Sequence, residues 1–82
     1  MKYKVGNVMR VNDPEYEEIN GELCLVLKQY AGNECGVWLI DYPDQMWYLR
    51  WDSLLPVPDR LERAFLVKAV GMLLEKSGYN ID

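Results

Sequence analysis

The chain has 82 residues, half of them apolar and 27% charged, with a formal net charge of −4. That is enough for one modest core, and it excludes both a disordered chain and a two-domain protein. The acidic balance disfavours general nucleic-acid binding, which needs Lys and Arg to neutralise phosphates. Apolar runs such as residues 64–67 fall far short of the roughly 20 residues of a membrane span. Residues 1–4 lead into no signal-peptide core, so no membrane partner and a cytoplasmic location are expected.

Taken in chain order, the turn at residues 4–7 launches a first strand over residues 8–11. Asn12-Asp13-Pro14 breaks that strand, and residues 13–20 form a long acidic loop in which Asp13, Glu15, Glu17 and Glu18 surround Tyr16. Asn20-Gly21 tolerates positive φ and hands over to a second strand at residues 22–29. A loop at residues 30–34 precedes a third strand over 35–41, whose continuous apolar run implies burial on both faces. Residues 42–45, Tyr-Pro-Asp-Gln, read as a tight hairpin turn before a fourth strand at 46–50. One helical turn at residues 51–54 and a short closing strand at 55–57 follow, the latter placed at an edge by Pro56. Asp59 and Glu62 have the spacing of a capping box, which opens a helix running to about Lys76 and stopped by Ser77-Gly78.

This order of elements over residues 4–57 resembles the SH3-like barrel superfamily, and the segment Trp47-Tyr48-Leu49-Arg50-Trp51-Asp52-Ser53-Leu54-Leu55-Pro56-Val57 carries the likeness most specifically. Lys4-Val5-Gly6 followed by residues 8–11 is similar to the opening of bacterial SH3-like modules. The ALYDY-type motif and paired tryptophan of eukaryotic signalling SH3 domains are absent, so proline-rich peptide binding is not implied. The expected fold is therefore mainly β: a small five-stranded SH3-like barrel at residues 1–57, followed by one C-terminal α-helix and tail at 58–82 packed on it as a single domain.

The resemblance implies a ligand surface flanked by the loops after the first strand and between the second and third. There Asp13, Glu15, Tyr16, Glu17 and Glu18, with Tyr30 and Trp38, either present carboxylates and aromatic faces to a basic protein partner or are solvated loop and core. Strand alternation puts Trp47, Leu49 and Trp51 on one face and Met46, Tyr48 and Arg50 on the other. One face packs the core, and the other lies under the helix or forms an exposed patch.

On the helix, Leu61, Phe65, Ala69 and Met72 cluster on one side, with Leu66, Val70, Leu73 and Leu74 roughly opposite. The second set either meets a partner or a second copy of the helix in a homodimer, or is covered by Tyr79 and Ile81. Without histidine there is no ordinary triad base or imidazole metal ligand. Cys24 and Cys35 fit no CxxC metal pattern and read as reduced strand residues. Asp41 and Asp44 read as turn residues rather than an acid–base pair. Neither catalysis nor a cofactor or metal is expected. The leading function is a prokaryotic or phage-encoded protein-interaction adaptor or modulator. Alternatives are an acidic nucleic-acid mimic, a weak binder of RNA or DNA through Lys2, Lys4, Arg10, Lys28 and Arg50, and an aromatic cage for a cationic ligand.

Overall fold

A computed structural model of the chain describes residues 5–76. The expected helix stop at Ser77-Gly78, the tail residues Tyr79 and Ile81, and the basic Lys2 and Lys4 lie outside the described residues. Strands β1 (Val8–Val11), β2 (Leu23–Tyr30), β3 (Glu34–Leu39) and β4 (Tyr42–Arg50) are followed by a 3-10 turn at Trp51–Ser53, then β5 (Leu54–Pro56) and helix α1 (Asp59–Lys76). They make one antiparallel five-stranded sheet in the order β4-β3-β2-β1-β5. Strands β4 and β5 are its two ends and are not paired with each other, so the sheet is open. No helix among the described residues is long and apolar enough to cross a membrane.

Period-two alternation sends side chains to two apolar clusters on opposite faces of the sheet. Met9, Cys24, Val26, Cys35, Val37, Leu49 and Trp51 fill the main core. Val8, Leu23, Leu25 and Trp38 point the other way, where Phe65 and Ala69 of α1 cover them. Strand β3 is accordingly buried on both faces, as its continuous apolar run implies. Trp47, Leu49 and Trp51 share the core face, whereas Tyr48 and Arg50 lie exposed on the other. Helix α1 covers the middle of that second face and leaves β4 open. The indole N–H groups of Trp47 and Trp51 are buried without a hydrogen-bond partner among the described residues.

Three local readings are corrected by long-range contacts. The reversal between β3 and β4 occurs at Ile40-Asp41, because Leu39 pairs with Tyr42, and Tyr42-Pro43-Asp44-Gln45 belongs to β4. The register then jumps to Val37 opposite Trp47, so Pro43 to Met46 bulge out across from Trp38 alone. The Trp38 Nε1–H donates to the Pro43 carbonyl at 3.1 Å and fills this mismatch. Proline is tolerated because β4 is an edge strand. Glu62 does not close a capping box on its own helix; its Oε2 accepts the Val8 N–H at 3.3 Å and ties the first turn of α1 to β1. Leu66, expected on the outward side, packs against the cluster under the helix.

Gly36 sits between Lys28 and Tyr48 in the cross-strand register, and Met46 lies over it. A Cβ at this position would come within 2.6 Å of the Met46 Sδ. Leu27 is the extra residue of a bulge in β2 and is left exposed.

Both cysteines are free and buried in the main core. Burial, and secondarily the neighbouring Cys35, push the Cys24 thiol up to about 12, and burial pushes Cys35 up to about 11, from an ordinary 9.0. A thiol that stays protonated in the fold while the unfolded chain ionises stabilises fully below pH 9.0; that contribution is lost as pH rises toward the folded value. Stability should therefore fall above pH 9.0 with a Cys24 component of about 1.4 kcal/mol per pH unit. Urea midpoints measured across this range should decline less steeply in Cys24→Ala, and an unchanged slope would refute the assignment.

Candidate functional site

The acidic loop between β1 and β2 is a built structure. Ile19 is 0% exposed and plugs the main core from the middle of the carboxylate-rich stretch. Its backbone folds into turns, with Ile19 N–H and Asn20 N–H both donating to the Tyr16 carbonyl and Glu22 N–H to the Ile19 carbonyl. Asp13 is committed to the loop: Oδ1 accepts from the Glu15 N–H at 3.1 Å and Oδ2 from the Ser53 hydroxyl at 3.0 Å. Tyr16 is half-buried edge-on to Trp47, which in turn meets Tyr42 edge-on. What remains on the surface are Glu15, Glu17 and Glu18. They form a short negative ridge held in place from beneath by Ile19 and Tyr16.

Tyr30 and Trp38 do not join this ridge or each other. In the β2–β3 register Trp38 is level with Leu25 and Tyr30 with Glu34, four residues from Trp38 along β3, or about 13 Å at 3.3 Å per residue. An aromatic cage from these two rings is therefore not assembled. Trp38 is half-buried edge-on to Phe65 under the helix. Tyr30 instead pairs with Tyr48, ring centroids 5.6 Å apart, with the Lys28 Nζ 5.8 Å from the Tyr30 centroid. Partial desolvation, and then the Tyr48 side chain, raise the Tyr30 hydroxyl above its ordinary pKa. Tyr48 on the uncovered face of β4 was not singled out as a contact residue from sequence; the alternation separated it from Trp47, Leu49 and Trp51 but left open whether the helix covers it.

Among the described residues, helix α1 carries three exposed large apolar side chains. Val67 is 75% exposed, Val70 53% and Leu73 60%. Val67 and Val70 lie on the side away from Phe65 and Ala69, whereas Leu73 stands one turn beyond Ala69 on the same side and is exposed past the docked stretch, with Leu74 half-buried beside Val70. Of the four outward residues expected, Val70 and Leu73 are exposed, Leu74 is intermediate, and Leu66 has moved to the docked side. Val67 was missed, because the interrupted apolar pattern of the helix does not reveal its rotation on the sheet.

A separate cleft of about 270 Å³ opens where the first half of α1 leans over the start of β2 and the Ile40-Asp41 turn. Its walls are apolar, and Glu22, Asp41 and Lys68 stand at its rim. Among the described residues no three His, Cys, Asp or Glu side chains are grouped to hold a metal ion. No family model matches the chain, and no curated protein or solved structure shows significant similarity to it.

Proposed function

We propose that the chain is a protein-interaction module on an SH3-like barrel framework, acting as a non-enzymatic adaptor or modulator through the outer face of α1. The observation that carries this reading is the exposure of three large apolar residues, Val67, Val70 and Leu73, on α1. Val67 and Val70 stand opposite the docked Phe65 and Ala69, and Leu73 continues the apolar surface one turn past Ala69. Exposed apolar surface of this kind is what contact sites are made of. The barrel reading draws on the pairing of β5 with β1. It also draws on the 3-10 turn that bends the chain between β4 and β5, where the Trp51 N–H donates to the Asn33 carbonyl. The exposed Glu15, Glu17 and Glu18 give the module a negative ridge that favours a basic partner.

Val70→Glu and Leu73→Glu should leave folding within about 0.5 kcal/mol of the parent, as for surface substitutions generally, while abolishing association through the helix. Light scattering after size exclusion over a concentration series reads self-association, and affinity capture from a native host reads a different partner. A parent that stays monomeric and captures nothing that the Val70→Glu variant loses would defeat the proposal. A concentration-dependent dimer lost in both variants would assign the surface to a second copy of the chain.

A further inference from the structure

The cleft beside α1 has a floor of Leu23, Leu39, Leu61 and Phe65. At about 270 Å³ it falls below the roughly 300 Å³ at which small-molecule sites begin, which suits one inserted side chain rather than a cofactor. Three charges stand around the opening. Glu22 begins the run into β2, Asp41 sits in the β3–β4 turn, and Lys68 comes from the third turn of the helix. None of the three forms an ion pair or side-chain hydrogen bond among the described residues.

We propose that this cleft takes a single arginine side chain from a segment of a protein partner. The inference rests on reading the chain as a protein-interaction module and names the chemistry that one part of the contact selects. An apolar floor under a mouth with two carboxylates and one ammonium complements a long aliphatic stem ending in a cation. Arginine fits better than lysine, because its planar fork donates in several directions at once and can meet carboxylates on different walls, and because it is more weakly hydrated. Lys68 is then free to donate to a backbone carbonyl of the same segment. Its charge opposes the guanidinium, so it sharpens the choice of segment rather than strengthening it.

The test is a titration of the ¹⁵N-labelled full chain with N-acetyl-arginine amide, followed by amide chemical shifts. Saturable shifts are expected at Leu23, Ile40, Asp41 and Lys68. Glu22→Gln and Asp41→Asn, both exposed and expected to keep the native spectrum, should each weaken binding about fivefold, the upper end for an exposed charge pair. Lys68→Gln should tighten it. The absence of saturable shifts overturns the proposal, as does equal binding of N-acetyl-norleucine amide, or shifts confined to residues 15–18. Val70→Glu should leave this titration unchanged, so failure of the cleft and failure of the helix surface are distinguishable.

Discussion

Phe65→Ala is expected to lower the free energy of unfolding by about 3–5 kcal/mol, the range for truncating a buried aromatic ring. Phe65 is the centre of the contact between α1 and the sheet, edge-on to Trp38 and packed in one cluster with Val8 and Ala69. A domain of this length has a total stability of roughly 4–12 kcal/mol at 0.05–0.15 kcal/mol per residue. The loss is thus a large share of the whole, and the helix should undock before the sheet melts. Urea unfolding of the variant should show a lower midpoint and a helical signal that disappears ahead of tryptophan fluorescence. A loss under about 1 kcal/mol, small beside the usual cost of an aromatic truncation, would mean that the helix is not integral to the fold.

The second large effect is expected where composition suggests none. Ile19→Ala should cost about 2–5 kcal/mol, as for other buried aliphatic truncations, although it lies in the most acidic segment of the chain. Its side chain is fully enclosed, and the turns around Tyr16 and Asn20 are arranged over it. Glu17→Gln and Glu18→Gln, exposed neighbours on the same loop, should stay within about 0.5 kcal/mol of the parent. Thermal unfolding of the three variants side by side reads the contrast. An Ile19→Ala variant as stable as the two glutamine variants would show that the loop is not anchored.

What was legible in the sequence is what depends on periodicity. The alternation of Trp47, Leu49 and Trp51 against Tyr48 and Arg50 needs no knowledge of the partner strand, and the apolar run in β3 implies a strand enclosed on both sides. What was hidden depends on distant residues. Pro43 and Asp44 have the composition of a turn; only the pairing of Val37 with Trp47 makes their segment a bulge. Glu62 has the spacing of a capping residue, and the Val8 N–H takes it instead. Four carboxylates masked the one aliphatic residue that organises their loop. The cleft was invisible for the same reason, since Glu22, Asp41 and Lys68 share no local pattern and meet only when α1 lies across the sheet.

The methionine resting on Gly36 makes these two positions depend on each other. A side chain gained at 36 must expel the Met46 thioether, whose end swings away readily into solvent, whereas shortening Met46 alone uncovers a bare stretch of β3 backbone. Neighbours in contact of this kind do not contribute additively. Drift at these two sites should therefore proceed in pairs: a larger residue entering at 36 together with a smaller one at 46. Descendants of this chain that keep the fold would carry that exchange as a single inherited character.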